Sequence, residues 1–352
     1  MTTAGRHVIV ADEGRPHGRT ALATVRALGR AGYAPVVTVG PRPTLAQASR
    51  WCAGVLPVPD DVEGWTTAVT EAAARLDALL VMPAGDAAVV ALGLPGADLV
   101  DKRLVRARAL DAGLRVPEEQ SYDGREALLA AAATLPFPVV VKPKRRTSLV
   151  PFEAMRADGP GDLERVPAGG PVVVQPFLGG GLTAFAGVVA DGRLLAAVHQ
   201  RYQRIWPPGA GVSCAAVTVP ADPDLEERLR HVLADHEGIA QVQLVDGHLI
   251  DVNPRPYGSL SLAVRAGANL PALWCAAAEG RPPATTVRAR EGVRYRWLDA
   301  DLRAVWRQLR TGETGLAGAA AALAPRWGTA HSIEDWGDPR PALRRYGTGR
   351  SS

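Results

Sequence analysis

Residues 238–271 carry the pattern from which the rest of the chain is interpreted: G-I-A-Q-V-Q-L-V-D-G-H-L-I-D-V-N-P-R-P-Y-G-S-L-S-L-A-V-R-A-G-A-N-L-P. Two apolar runs, 242–245 and 249–252, flank the dipeptide Asp246-Gly247, which is typical of tight β-hairpin turns. The stretch therefore predicts two antiparallel strands joined by a short turn.

Polar side chains project from the second predicted strand at intervals of two residues. Asp251, Asn253 and Arg255 follow this spacing and share one face, and Gln243 on the first strand can join them. Carboxylate and amide oxygens are ligands that Mg²⁺ prefers, and a guanidinium suits phosphate oxygens. The pattern predicts a site for a metal ion and a nucleotide.

Lysine is rare in a chain that is otherwise rich in positive charge. Only three of the 40 basic residues are lysines, Lys102, Lys142 and Lys144, and asparagine occurs only at Asn253 and Asn269. A lysine ammonium reaches one phosphate oxygen as a point charge on a flexible stem. We expect a functional role for Lys102 and Lys142, whereas compositional bias is the better explanation of Lys144.

Length and composition restrict the class of protein. A chain of 352 residues has room for two or three domains, and 47% hydrophobic with 22% charged residues is ordinary for a soluble globular protein. No apolar run approaches a membrane span, and no signal peptide precedes the first strand. Three scattered cysteines, Cys52, Cys214 and Cys275, fit a reducing cytoplasm rather than a disulfide framework.

The net charge of +4 does not indicate nucleic-acid binding. Arginines alternate with acids instead of forming one basic run, and aromatic residues are only 5%. The seven histidines form no H-x-x-x-H pattern, which argues against a zinc hydrolase. A solvated surface and a site for an anionic small molecule explain the charge better.

The first part of the chain predicts an α/β unit. Strands are expected at 7–11, 35–39 and 78–82, with helices at 20–32 and 65–76 between them. This order implies a parallel sheet that is covered on both faces.

The loop after the first strand lacks the G-x-G-x-x-G of a dinucleotide fold. Ligands of such sheets bind beyond the carboxyl ends of the strands, which places Asp12, Arg15 and the turn from Pro83 to Asp86 near a pocket. A polar loop or a helix cap is an equally good explanation of each.

The remainder predicts fewer helices and more antiparallel pairing. A helix at 99–112 carries Lys102 in its first turn, and a strand at 137–141 delivers Lys142 to a loop-like segment at 143–160. The other predicted elements are strands at 171–175, 183–190 and 194–200, a loop at 201–213, and helices at 123–135, 222–237, 260–267, 272–279 and 297–310.

In order along the chain, these features resemble the ATP-grasp superfamily, in particular the branch of carbamoyl-phosphate synthase, biotin carboxylase and stand-alone carboxylate–amine ligases. The α/β unit without a glycine fingerprint comes first, followed by the pair Asp101-Lys102 before A-G-L-R-V-P. Next come P-F-P-V-V-V-K-P at 136–143, V-V-V-Q-P-F-L-G-G-G at 172–181 and D-V-N-P-R-P-Y-G-S at 251–259. The resemblance covers roughly residues 7–285.

The resemblance implies a mixed α/β and α+β protein with an ATP-grasp fold behind an N-terminal Rossmann-like pre-ATP-grasp domain. The implied divisions are a pre-ATP-grasp domain at 1–95, an N-terminal ATP-grasp subdomain with a lid at 96–174, and a C-terminal subdomain with the metal motif at 175–352. The segment 143–160 is the candidate lid.

The resemblance also implies ATP and Mg²⁺ (or Mn²⁺) as cofactors. Lys102 and Lys142 would contact nucleotide phosphates, Lys142 also the adenine edge, and Arg255 the phosphoryl intermediate. Asp251 and Asn253 would bind the metal. The adenine would meet backbone groups of Gln175, Pro176, Phe177 and Leu178.

Two positions depart from the family pattern. Gln243 stands where the family usually has a glutamate metal ligand, so one ion would be held loosely, or Asp251 would bridge two ions, or activity would be reduced. The loop after Lys142 lacks the glycines that often cradle phosphate. Side chains could substitute for them, although a solvated basic surface is an equally good explanation of Lys144, Arg145, Thr147 and Ser148.

The implied reaction transfers the γ-phosphoryl group of ATP to a carboxylate, and an amine then attacks the acyl phosphate to give an amide, ADP and phosphate. Substrate anions are expected to meet Arg204, Arg255 and Arg265. The expected partners are small molecules, without nucleic acid or membrane, and a homodimer is possible. A small-molecule kinase, a carboxylase-like enzyme and a nucleotide-binding protein without turnover stay open as alternatives.

Overall fold

A computed structural model of the chain describes residues 5–12, 18–41, 43–144 and 154–347. The candidates Arg15, Arg145, Thr147 and Ser148 lie outside the described residues, as does the stretch 145–153 of the expected lid.

The N-terminal part contains the predicted parallel sheet, with strand order β3-β2-β1-β4. Strand β3 was not predicted, because four residues with a glycine and a proline at their ends give no readable alternation. The elements are β1 (His7–Ala11), α1 (Arg19–Arg30), β2 (Ala34–Val39), β3 (Gly54–Pro57), α2 (Val62–Arg75), β4 (Leu80–Pro83) and α3 (Asp86–Ala91).

The middle part is a small antiparallel sheet of order β5-β8-β6-β7. Helix α4 begins at Lys102 because the Asp101 carboxylate accepts hydrogen bonds from the free N–H groups of its first turn. The single helix predicted at 123–135 is instead a short helix followed by a 3₁₀ turn. The elements are α4 (Lys102–Asp111), β5 (Gln120–Tyr122), α5 (Arg125–Ala130), β6 (Val139–Pro143), β7 (Met155–Ala157) and β8 (Val172–Pro176).

The C-terminal part begins with long antiparallel strands. Much of the loop predicted at 201–213 is strand, because β10 continues to Trp206 and pairs with β11. The elements are β9 (Leu182–Ala190), β10 (Arg193–Trp206), β11 (Val212–Thr218), α6 (Pro223–Val232), β12 (Gly238–Val245), β13 (His248–Asn253), α7 (Leu260–Arg265) and α8 (Leu270–Ala278).

These strands and the closing segment form a sheet of order β13-β12-β9-β10-β11-β15-β16, with β14 paired to β10. The closing elements are β14 (Val287–Arg288), β15 (Arg294–Arg296), α9 (Leu298–Arg310), α10 (Leu316–Leu323), β16 (Ala330–His331) and α11 (Arg340–Gly347). Within the described ranges, no helix is both long enough and apolar enough to cross a membrane. The predicted domain boundaries, after residues 95 and 174, stay predictions.

The hairpin of β12 and β13 has the turn that the sequence predicts. Asp246 and Gly247 both have positive φ, 47° and 73°, as a tight hairpin turn requires. The register places Gln243 opposite Asp251 and Gln241 opposite Asn253. The polar residues of both strands therefore lie on one face of the sheet.

A buried ion pair ties the C-terminal segment to the N-terminal part. The Asp338 carboxylate accepts hydrogen bonds from Arg26 Nε at 2.9 Å, Ser49 Oγ at 2.6 Å and the Arg50 backbone N–H at 2.8 Å. Burial by itself would raise the pKa of Asp338, but these hydrogen bonds and the Arg26 charge outweigh it and hold the pKa below the ordinary aspartate value.

Asp338→Asn is expected to lower the free energy of unfolding by about 3–5 kcal/mol, since it leaves the Arg26 charge buried without its counter-ion. The control is Asp335→Asn, whose partner Arg30 is partly exposed, and about 0–1 kcal/mol is expected there. Urea unfolding of both variants measures the difference. Equal losses would contradict the interpretation of the Asp338 pair as the structural tie.

The pH dependence of this pair has a fixed sign. Because the pKa of Asp338 is lower in the folded state, its ionised form stabilises the fold above the ordinary value of 3.8, and that contribution is lost as pH falls through the folded pKa. Asp338→Asn should lack this part of the acid transition.

Candidate functional site

A cavity of about 660 Å³ lies where the three parts of the chain meet. Residues from the N-terminal sheet, the middle sheet and the C-terminal sheet all line it, including Asp12, Arg19, Lys142, Gln175, Phe177, Tyr202, Gln243, Asp251, Asn253, Arg255 and Ser259. The loops after parallel strands and the polar face of the β12–β13 hairpin thus face the same cavity.

The end of β13 supplies one polar wall of this cavity. Asp251, Asn253 and Arg255 all line it, and each is at most 9% exposed. Their spacing by two residues places them together, as a strand requires. Such deeply buried polar groups need partners, and those partners come from other parts of the chain.

Arg255 connects this wall to the N-terminal sheet. Its Nε donates to Asp86 Oδ1 at 2.5 Å, and one terminal nitrogen donates to Asn253 Oδ1 at 3.1 Å. Its other terminal nitrogen donates to the Pro256 carbonyl at 3.0 Å. Asp86 is the first residue of α3 and is 2% exposed. The guanidinium therefore fixes the orientation of the Asn253 amide relative to α3.

Lys102 lies against the same wall from the middle part of the chain. Its ammonium donates to Asp251 Oδ1 at 2.8 Å, and both side chains are at least nine-tenths buried. Helix α4 holds this lysine in its first turn through the Asp101 cap. Asp251, which is the only carboxylate among Asp251, Asn253 and Arg255, is thus paired with the Lys102 ammonium.

Lys142 reaches the cavity from β6. Its ammonium donates to Gln175 Oε1 and to the Ile250 carbonyl, both at 3.0 Å, and Gln175 Nε2 donates to Glu119 at 2.9 Å. The lysine is 6% exposed. Lys142 therefore brings a buried positive charge to the cavity, and Lys102 holds a second one against Asp251, which lines it.

The segment after β8 forms an apolar edge of the cavity. Pro176, Phe177 and Leu178 line it, together with Val140 and Ile250. Phe177 is fixed by a backbone hydrogen bond to Pro138 at 2.9 Å, and the Arg156 guanidinium lies 4.1 Å from its ring centroid. A flat, apolar ring system fits against such a surface.

Gln243 lies on the hairpin face directly opposite Asp251, and its Nε2 donates to the Tyr202 hydroxyl at 3.3 Å. The neighbouring Gln241 donates to the same hydroxyl, also at 3.3 Å. Burial raises the pKa of Tyr202, so the phenol is neutral at ordinary pH. With Nε2 engaged in this way, Gln243 has its neutral amide oxygen left to offer a cation.

The oxygens of Asp251 and Asn253 are of the type that Mg²⁺ binds. In the described part of the chain, no group of three or more His, Cys, Asp or Glu side chains could hold a metal ion. The donor set is therefore one carboxylate with amide oxygens. It fits a hard cation that also draws ligands from phosphate groups.

Four predicted residues do not line the cavity: Lys102, Lys144, Arg204 and Arg265. Lys102 contacts Asp251, which does line it. Arg204 forms an ion pair with the buried Asp301, with N–O distances of 2.6 Å and 3.1 Å. Arg265 is exposed and donates to the Gly328 carbonyl at 3.2 Å. Lys144 follows β6, and its backbone N–H bonds to Pro171. For Arg204 and Arg265, a partner distant in sequence takes the guanidinium elsewhere.

Arg19 lines the cavity, although it was not among the predicted site residues. It is the first residue of α1, directly after the loop that follows β1, and this edge of a parallel sheet is a ligand-binding position. That position was the available signal, but the alternation of charges in the loop concealed it.

Residues 171–300 match a family model described as "ATP-grasp in the biosynthetic pathway with Ter operon". A search of curated protein sequences found no match. The fold is similar to several solved structures of low sequence identity, three of which follow.

The L-amino acid ligase from Bacillus licheniformis is 17% identical with a TM-score of 0.57, covering 79% of this chain and 75% of its own. The ADP complex of N5-carboxyaminoimidazole ribonucleotide synthetase is 12% identical with a TM-score of 0.63, and the match covers 87% of this chain and 85% of the synthetase chain. The biotin carboxylase domain of 2-oxoglutarate carboxylase from Hydrogenobacter thermophilus, in complex with MgADP, ADP and bicarbonate, is 12% identical with a TM-score of 0.57, covering 83% and 74%.

The element order matches the sequence-based expectation. A parallel α/β unit precedes a small antiparallel sheet and a larger one, and a cavity lies between them. The family match and the structural similarity agree with this order. The chain has the ATP-grasp fold, and its residues 171–300 match an ATP-grasp family model.

Proposed function

We propose that the protein is an ATP-dependent ligase that activates a small-molecule carboxylate as an acyl phosphate, which an amine then attacks to form an amide, ADP and phosphate. One observation carries this proposal. Asp251, Asn253, Arg255 and Lys142 converge in the cavity that Phe177 and Leu178 border on an apolar side, and Lys102 forms an ion pair with Asp251. This is an arrangement for a nucleotide with its phosphates at the charged end.

The chain's own residues bind and orient the nucleotide in this proposal. The base lies against Phe177 and Leu178, and Lys142 and Lys102 donate to phosphate oxygens. The Lys102 ammonium would exchange its ion pair with Asp251 for one with the phosphates, because the carboxylate and the phosphates compete for the same ammonium. Phosphoryl transfer depends mostly on positioning and on charge neutralisation, which two buried ammonium groups supply.

Asp251 and Asn253 would hold Mg²⁺, with Gln243 as a weaker third ligand. When bound, this ion neutralises phosphate charge. The similar structures in complex with ADP and with MgADP support the use of ATP and Mg²⁺. The single carboxylate favours loose binding of one ion over tight binding of two.

Arg255 would stabilise the transferring phosphoryl group. Its hydrogen bonds to Asp86, Asn253 and Pro256 hold the guanidinium still, so it requires little reorganisation during the reaction. An acyl phosphate also needs protection from water, and residues from all three parts of the chain line the cavity.

The three alternatives differ in what they release from ATP. The experiment incubates the protein with ATP, Mg²⁺ and a matrix of small acids and amines, with bicarbonate as one of the acids, and measures ADP and phosphate. We expect release only when an acid and an amine are both present. A stable phosphorylated product would identify a kinase, and turnover that requires bicarbonate would identify a carboxylase-like enzyme. Tight ATP binding without turnover would identify a nucleotide-binding protein. Because the matching family model refers to a biosynthetic pathway, small metabolites are the first compounds to test.

Lys142→Met and Asn253→Ala are each expected to lower kcat for ATP turnover by roughly 10²–10³-fold, the usual cost of removing one group that stabilises developing charge. Asn269→Ala is the matched control, because Asn269 caps α8 and bonds to the Ala27 carbonyl away from the cavity. It should lower the thermal midpoint and leave kcat unchanged. Normal turnover by either site variant would contradict the assignment.

Gln243→Glu is expected to reduce the Mg²⁺ concentration for half-maximal turnover by roughly tenfold, since a carboxylate is a stronger ligand of Mg²⁺ than an amide. A titration of turnover with Mg²⁺, repeated with Mn²⁺, measures the change. A collapse of activity instead would mean that the amide itself, bonded to Tyr202, is needed in the site.

Asp86→Asn is expected to lower kcat by roughly 10–100-fold with little change in the affinity for MgADP, since it loosens Arg255 without removing a nucleotide contact. Steady-state kinetics and calorimetric titration with MgADP separate the two effects. An unchanged kcat would contradict the positioning role of Asp86.

A further inference from the structure

We infer that Arg19 and the N-terminus of α1 form a binding site for an oxyanion of the substrate, a carboxylate or a phosphate ester, within the cavity and apart from the residues assigned to the nucleotide. This inference rests on the proposed function and extends it to the chemistry of the second ligand.

Two aromatic side chains fix the orientation of the Arg19 side chain. Its guanidinium lies 3.6 Å from the ring centroid of Trp297, and one terminal nitrogen donates to the Tyr295 hydroxyl at 3.0 Å. Tyr295 in turn donates to the Gly258 carbonyl at 3.1 Å. A ring face and a neutral phenol orient the charge without neutralising it. No carboxylate of the described chain forms an ion pair with Arg19, in contrast to Arg204 and Arg255.

Gly258 leaves the space that this guanidinium occupies. A Cβ atom on Gly258 would lie 3.1 Å and 3.2 Å from the two terminal nitrogens of Arg19, closer than ordinary contacts. Gly258 follows the Asp251–Arg255 wall by three residues. The motif therefore provides an opening beside the phosphate end, and Arg19 reaches into it.

The first turn of α1 adds further donors. Gly18, Arg19, Thr20 and Ala21 all line the cavity, and α1 has neither a side-chain cap nor an acidic residue in its first turn. The free N–H groups and the helix dipole at this end favour an anion.

A buried phenol of the same cavity points to a ligand. Tyr257 lines the cavity and is 1% exposed, yet its hydroxyl has no hydrogen-bond partner in the described part of the chain. A buried hydroxyl without a partner is costly. Ser259, which also lines the cavity, lies two residues further on. A polar ligand would satisfy the phenol.

Asp12 makes the site selective. It lines the same cavity, and its Oδ2 lies 3.5 Å from the Cβ position of a side chain at Gly18. This carboxylate next to the cationic site disfavours a bare polyanion. It favours a ligand with a hydrogen-bond donor, such as a hydroxyl, beside its oxyanion.

The experiment measures anion binding after the nucleotide end is filled with Mg²⁺ and a non-hydrolysable ATP analogue. The probes are succinate, malate and 2-phosphoglycolate, with neutral succinamide and equal ionic strength of chloride as controls. We expect at least one anion to raise the thermal midpoint above the chloride control, with malate ahead of succinate, and succinamide to have no effect. A response to 2-phosphoglycolate alone would assign the site to phosphate esters.

Arg19→Met should weaken the apparent Kd of that anion by roughly 10–100-fold, the range for charge-assisted hydrogen bonds. Arg310→Met, at an exposed position, is the matched control and should leave the Kd unchanged. Gly258→Ala retains Arg19 but displaces its guanidinium, so it should also weaken the anion. This second variant keeps the test decisive where Arg19→Met fails to fold.

The inference is overturned where no probe binds beyond chloride, or where Arg19→Met and Gly258→Ala bind the anion as the wild type does. Binding of the ATP analogue is measured in the same titrations. Its failure in the wild-type protein would contradict the proposed function, whereas its success with no Arg19-dependent anion would contradict this inference alone.

Discussion

The site depends on one buried guanidinium. Arg255 ends the hairpin motif, and its hydrogen bonds reach Asp86 of the N-terminal part and Asn253 of β13. A guanidinium carries five N–H donors in a rigid plane, so it can fix two side chains and keep donors for a ligand. Arg255 therefore determines how the N-terminal sheet sits relative to the polar face of β13.

Charge balance explains the rest of the arrangement. A buried charge requires a partner, and three acidic side chains around the cavity or beneath it have one: Asp86 with Arg255, Asp251 with Lys102, and Asp301 with Arg204. Only the Asp251 pair joins a candidate metal ligand to a candidate phosphate ligand. An incoming phosphate group and its cation would separate these two side chains and satisfy both.

The sequence indicated the centre of this site because local rules govern it. The strand period of two places Asp251, Asn253 and Arg255 together, and the Asp246-Gly247 turn determines which residues of β12 face them. The scarcity of lysine drew attention to Lys102 and Lys142, and the structure places Lys142 in the cavity and Lys102 against Asp251. Parallel and antiparallel sheets followed in the predicted order.

The arginines could not be sorted in the same way. Thirty-seven of the 40 basic residues are arginines, so their positions carry little information, and the partners that decide their roles are distant in sequence. Arg204 is drawn to Asp301, 97 residues away, and Arg19 is held by Trp297 and Tyr295. The continuation of β10 beyond Gln200 was not predicted for a related reason. The sequence after Gln200 is polar, and it forms a strand because it pairs with β11.

The central claim is that the phosphates of ATP lie at the Asp251, Asn253, Arg255 end of the cavity and the base lies at Phe177 and Leu178. A crystal structure with Mg²⁺ and a non-hydrolysable ATP analogue tests it most directly. The account predicts the base against the segment after β8, the γ-phosphate beside Arg255, and the cation on Asp251 and Asn253. A nucleotide bound outside this cavity, or with its base at the Arg255 end, would contradict it.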